Sequence, residues 1–210
     1  MSEVAAHWDG VHSSAPSTTR SWYEPDPARS LKLLTQAAAD RSAAIIDIGA
    51  GTSVLADRLL DSGFVDVTVL DVSSHALGVV RDRLGARAPR VSFVTQDVLS
   101  WRPNRGYDVW HDRAVFHFLT DTTERACYVS LAHATVRPGG ALVVATFADD
   151  GPTHCSGLPV HRYSTDELAE TFAAGFELEH CERDLHHTPT GAVQPFTWVV
   201  LRRNPSVANY

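Results

Sequence analysis

Ile45-Ile46-Asp47-Ile48-Gly49-Ala50-Gly51-Thr52-Ser53 is the stretch whose reading decides the fold. A hydrophobic run of strand type passes into Gly-x-Gly and then directly into a helical pattern. Glycines at such a turn let backbone approach a ligand with no Cβ between them, and the following helix turns its first N–H groups toward that ligand. A tight strand-to-helix turn that binds nothing has the same local sequence, so the flanks must decide. The third glycine of a dinucleotide fingerprint falls at position 54, where Val54 stands. Its bulk opposes the close helix–strand packing that accompanies a bound pyrophosphate. The turn therefore favours a ligand without one.

Outward from this turn, apolar β-type runs alternate with helical periodicity. Strands are expected at 43–48, 65–70, 91–95, 107–110 and 141–147. Helices are expected at 28–40, 53–62, 120–136 and from Ser164, whose Ser-Thr-Asp-Glu run is a capping box. Ser73 should cap a further helix with Leu77, Val80 and Leu84 on one face, and Gly63 and Gly85 should end two helices in the left-handed region. Arg137-Pro138-Gly139-Gly140 reads as a turn before the fifth strand. The last two strands, 176–182 and 195–203, have no helix between them and should pair antiparallel. Strands spaced by helices in this way form a parallel sheet covered on both faces. Segment 9–29 is rich in Ser, Thr and Pro yet carries Trp22 and Tyr23, the mark of a loop or lid.

The chain has 210 residues, which suits one domain or one domain with a short appendage. With 44% hydrophobic and 20% charged residues it can fill a core. A net charge of −7 argues against a duplex nucleic-acid partner. No apolar run approaches the roughly 18 residues of a membrane span, and the first residues lack the basic and apolar regions of a secretory signal. Three cysteines without a CxxC point to a reducing, cytoplasmic setting; Cys127 and Cys181 are expected to fill the core, and no metal site is expected.

Acidic residues follow the second and third strands. Asp71 closes the second, about 20 residues past Gly51, where a carboxylate can accept both hydroxyls of a ribose; a bare strand-end Asp is the bland alternative. Asp97 closes the third, suited to an adenine amino group, with Val98 packing on the ring. After the fourth strand, His111, Asp112, Arg113 and His117 gather two imidazoles, a carboxylate and a guanidinium within seven residues. They can line an acceptor pocket, with Arg113 pairing an acidic group and Asp112 or His117 removing a proton. Alternatively, Asp112–Arg113 is a local ion pair and the histidines are pocket walls or core groups.

In this constellation the sequence resembles the class I S-adenosylmethionine-dependent methyltransferases over about residues 43–203. Asp47-Ile48-Gly49-Ala50-Gly51 matches their glycine loop, Asp71 with Val72 their ribose-binding acid, Asp97-Val98 their adenine contacts, and 137–140 their turn before strand five. The resemblance implies an α/β, Rossmann-like, doubly wound sheet of seven strands, mostly parallel with an antiparallel last strand. It divides the chain into a lid segment and helix, 1–42, and a cofactor-binding domain, 43–210. It implies S-adenosylmethionine as cofactor, held by Asp47, Gly49, Ala50, Gly51, Asp71, Val72, Asp97, Val98, His111 and Trp22. Trp8 and residues 21–25 resemble the opening segment of the subgroup around the citrate synthase lysine methyltransferase. The segment after strand four lacks the Asn/Asp-Pro-Pro-aromatic motif of enzymes that methylate nucleic-acid amines. A small-molecule acceptor is expected first and a protein lysine second; a nicotinamide oxidoreductase and a catalytically silent binding relative are the readings outside this class.

Overall fold

The computed structural model describes residues 2–205; Met1 and residues 206–210, the end of the expected 43–210 domain, lie outside the description below. Seven strands form one sheet. In chain order they are β1 (Ala44–Ile48), β2 (Asp66–Asp71), β3 (Val91–Thr95), β4 (Tyr107–Arg113), β5 (Val136–Phe147), β8 (Phe176–His187) and β9 (Val193–Arg203). Their spatial order is β3-β2-β1-β4-β5-β9-β8. The pairs among β1–β5 are parallel, and β9 runs antiparallel to both β5 and β8. A separate two-stranded hairpin, β6 (His154–Cys155) and β7 (Leu158–Pro159), lies in the stretch after β5.

Helices α2 (Ala28–Ala37), α3 (Leu55–Asp61) and α4 (Ser74–Leu84) cover one face, and α5 (Thr122–Thr135) and α6 (Thr165–Phe172) the other. The two-residue period of a strand assigns the sheet's side chains to these layers. Ile45, Val67, Val109 and Val143 face α2–α4, while Ile46, Trp110, Leu142 and Val144 face α5 and α6. Start signals work as the sequence implies. Ser73 Oγ accepts from Ala76 N–H (3.0 Å), Ser164 Oγ from Glu167 N–H (3.2 Å), and Gly63 and Gly85 have φ of +90° and +53°.

Four expectations need correction. The start of the 9–29 loop belongs to a helix, α1 (Glu3–Ser13), which only His12 buries fully. It has no apolar stripe to betray it; Ser2 caps it, and Asp9 anchors it by accepting from Ser73 Oγ (2.6 Å) and His75 N–H (3.1 Å) at the start of α4. The turn read at 137–140 lies inside β5 and not before it: Val136 pairs with Tyr107 and Ala141 with Val109, so these four residues leave the ladder, with Gly139 at φ +76° and Arg137 donating to Asp108 Oδ2 (2.7 Å). Strand β4 runs three residues beyond the expected end at 110, to Arg113. Cys127 and Cys181 are exposed: Cys127 is one residue off the buried face that Tyr128 presents on α5, and Cys181 is on the edge strand β8, most of whose residues are exposed.

Candidate cofactor and acceptor site

The carboxyl ends of β1, β2, β3 and β4 converge on two neighbouring cavities, of about 290 Å³ and about 70 Å³, that share Trp22, Gly49, Gly51 and Arg113. The turn between β1 and α3 forms their floor. Gly49 and Gly51 have φ of +64° and +51°, a region that side chains oppose. A Cβ on Gly49 would run into the Val115 side chain, and one on Gly51 would lie 3.3 Å from the His12 ring. Gly49→Ala should therefore push Val115 into the larger cavity and abolish nucleoside binding with the fold retained, which calorimetry beside a thermal melt would check.

Asp71 reaches across from β2. Its Oδ2 accepts from Gly51 N–H and its Oδ1 from Ser73 N–H, both at 2.7 Å. Burial pushes this carboxyl up to about 6, against the pull of those two N–H donors. Asp71 lines the larger cavity beside Val72, Asp97, Val98 and Leu99. Asp97 Oδ1 accepts from Leu99 N–H (2.9 Å), and Val98 is buried.

Register places Asp47 of β1 directly opposite His111 of β4. His111 Nδ1 lies 2.7 Å from Asp47 Oδ1, and its Nε2 3.0 Å from Ser30 Oγ on α2. An ionised carboxylate only accepts, so Nδ1–H donates to Asp47, and the second ring nitrogen meets the Ser30 hydroxyl. All three side chains are buried and line the smaller cavity with Ala50.

Strand periodicity then separates the cluster read after strand four. His111 and Arg113 face the cavities, whereas Asp112 faces α5. The buried Asp112 carboxylate accepts from Tyr128 Oη–H, from Val115 N–H (2.9 Å) and from Phe116 N–H (3.1 Å). His117, in a short 3-10 turn (Phe116–Phe118), packs on Phe147 with ring centroids 4.8 Å apart, and burial first, then Arg113, lowers it to about 3. Neither is among the lining residues of the two cavities: Asp112 pins the β4 turn, and His117 stands as a neutral wall against β5. The expected Asp112–Arg113 pair does not form either. Arg113 Nη1 donates to Trp22 O (3.1 Å), its Nη2 lies 3.2 Å from Glu24 Oε1, and its guanidinium carbon sits 4.8 Å from the Phe196 ring centroid.

The N-terminal segment forms the roof. Trp8 meets Trp22 edge-on at 6.2 Å and Phe118 at 5.1 Å, and His12 stands 6.0 Å from Trp22. Burial lowers His12 to about 4, so it is a neutral wall above the glycine turn. Cys155 and Leu158 of the β6–β7 hairpin close the side. No local pattern singles out His12, which sits in a Ser-rich stretch, or Ser30. Phe118 adjoins His117 in the segment after strand four. His154 and His187 are exposed and line neither cavity.

A sheet of this order, opening its glycine turn and its strand-end acids onto one cleft, is the frame of the class I S-adenosylmethionine-dependent methyltransferases. Residues 45–140 match the family model described as a methyltransferase domain. Over those residues, a little under half of its length, the chain carries a methyltransferase domain, and S-adenosylmethionine is its cofactor. The cradle fits this group: its floor has no room for a Cβ at Gly49, and it carries a buried acid for a sugar and no third glycine for a pyrophosphate. Among curated proteins the chain is similar to an EEF1A lysine methyltransferase 2 of Danio rerio, 25% identical over 82% of this chain and 74% of that one. It is also similar to a malonyl-[acyl-carrier protein] O-methyltransferase of Ilyobacter polytropus, 23% identical over 50% of this chain and 38% of that one. Among solved structures, one described for the conversion of a disulfide bond into a thioacetal group in echinomycin biosynthesis shares the fold, with a TM-score of 0.77, 22% identity and 98% and 95% of the two chains covered. The family match begins at residue 45, so the likeness of the opening segment to the citrate synthase methyltransferase subgroup rests on sequence alone.

Proposed function

We propose that the protein transfers the methyl group of S-adenosylmethionine to a small-molecule acceptor held beneath the N-terminal segment. In this reading residues 1–42 are the lid and helix, and the chain from residue 43 binds the cofactor. Asp47, positioned by His111, holds the methionine end with Gly49, Ala50 and Gly51. Asp71 accepts the ribose hydroxyls beside Val72. Asp97 takes the adenine amino group, and Val98 packs on the ring. The bound cofactor supplies a methyl group already activated by the sulfonium charge; the protein aligns the acceptor, excludes water and faces the cation with Trp22.

The observation that carries the acceptor reading is the aromatic roof. Trp8, Trp22 and Phe118 meet over the larger cavity, and Leu158 stands at its side. Such a roof suits a molecule enclosed whole. A protein lysine needs a channel open at its outer end, and the likeness to an elongation-factor lysine methyltransferase favours that second reading. Cell extract incubated with the protein and methyl-labelled cofactor separates the two. Label is expected in the small-molecule fraction; label confined to protein bands would transfer the assignment to the lysine reading.

A further inference from the structure

Arg113 is the one cation among the larger cavity's described lining residues apart from His12, which burial keeps neutral. Its charge is incompletely used. Nη1 donates to Trp22 O, but Nε and Nη2 are buried without a hydrogen-bond partner, since Glu24 lies at ion-pair distance from Nη2 without hydrogen-bond alignment. Buried guanidinium N–H groups left unmatched cost free energy that an incoming acceptor atom recovers. The charged and titratable groups around Arg113 are Glu24 from the lid, Asp184 and His186 of β8, Cys155 of β6, Asp47 of β1 and His117. Asp184 pairs with Arg29 (2.8 Å), Asp47 with His111, and His186 Nε2–H donates to the lid at Ser21 O (2.7 Å).

The cavity offers little to deprotonate an acceptor. Asp112 and His117 face elsewhere, Asp71 and Asp97 stand at the nucleoside end, and Glu124, the one further carboxylate on the lining, is exposed in the first turn of α5. Cys155, whose thiol burial pushes up to about 11, stays protonated. What remains around Arg113 is Trp22, Phe118, Trp8 and Leu158, an apolar and aromatic wall that suits polarizable sulfur.

We infer that the acceptor is a small apolar thiol, which ionises in solution or on binding and is held as the thiolate beside the Arg113 guanidinium. This rests on the small-molecule reading above and narrows it. The thiol proton passes to water; the thiolate lone pair then forms the new carbon–sulfur bond as the bond from methyl to the sulfonium sulfur breaks, and that pair returns to the donor sulfur. The products are a methyl thioether and S-adenosylhomocysteine. No protein base takes part in the methyl-transfer step.

Benzyl mercaptan, thiophenol, benzylamine and phenol serve as probes with the purified protein and methyl-labelled cofactor. The thiols should be methylated at least about 100-fold faster than the amine and the phenol, the scale expected where one class arrives ionised and the others do not. With saturating S-adenosylhomocysteine, the ultraviolet spectrum of bound thiophenol should report a pKa about one unit below that of the free thiol, as expected beside a buried cation. Arg113→Gln should remove that shift and lower kcat/KM about 30-fold, Arg113→Lys should restore part of both, and S-adenosylhomocysteine affinity should stay within about twofold. A melt on each variant confirms the fold, and the wild-type preference needs no variant. Preferred methylation of the amine, or a thiol pKa unmoved in the wild type, would overturn the inference while leaving the methyltransferase reading intact. A loss of S-adenosylhomocysteine affinity in Arg113→Gln would also overturn it, by assigning Arg113 to the cofactor's carboxylate. Failure of the wild type to bind S-adenosylhomocysteine at all would instead remove the reading beneath it.

Discussion

Replacing Asp112 with Ala should destabilise the protein by about 3–5 kcal/mol, because it strands a phenol and two backbone N–H groups in the core. The donors are Tyr128 Oη, Val115 N and Phe116 N, and the carboxylate that gathers them is wholly buried. Tyr128 also accepts from Trp110 Nε1 (3.0 Å), so the loss spreads to the largest side chains on that face of the sheet. For a chain of this size the melting temperature should fall by about 10 °C. Folded Asp112→Ala, assayed well below its melting temperature, should keep the wild-type pH–rate profile. An unchanged melt with an acid limb lost from that profile would return Asp112 to the role of a base.

Replacing Asp71 with Asn should weaken S-adenosylhomocysteine binding about 10- to 100-fold, equivalent to about 1.5–3 kcal/mol. The side chain keeps its size, but one anionic oxygen becomes an amide donor facing either Gly51 N–H or Ser73 N–H. The same residue sets a pH dependence. Burial raises its carboxyl to about 6, and only the ionised form offers lone pairs on both oxygens to two hydroxyl donors. Affinity should therefore fall as pH drops through that value, by about tenfold between pH 7 and pH 5, and the Asn variant should show no such fall. The sign for folding is opposite. The folded chain holds this proton from about 4, where the unfolded carboxyl releases it, up to about 6, so Asp71's contribution to stability is lost as pH rises through that window. Calorimetry across the pH range, on both proteins, reads the binding effect directly.

How far the sequence speaks for itself differs between elements. The glycine turn, the strand-end acids at Asp71 and Asp97, and the Ser73 and Ser164 caps depend on neighbours within a few residues, and each folds as read. The same locality led the reading astray after strand four. Four polar residues in seven look like one cluster until β4 extends to Arg113, and then alternation sends Asp112 to the α5 face and Arg113 to the cavities. Helix α1 was illegible for a different reason. It buries one residue and depends on Asp9 meeting the first turn of α4, a contact 64 residues away that no local pattern encodes. Ser30 likewise acquires its place only when α2 docks beside β4 and meets His111.

The central claim is that one nucleoside sulfonium cofactor lies across the carboxyl edge of the sheet, on the Gly49–Gly51 turn and the Asp71 carboxylate. Titration of the protein with S-adenosylhomocysteine in a calorimeter tests it most directly. One site with a dissociation constant of about 100 μM or tighter is expected, with NADH giving no competing heat. Heats that stay at the level of dilution up to millimolar ligand, or binding that Asp71→Asn leaves untouched, would contradict it.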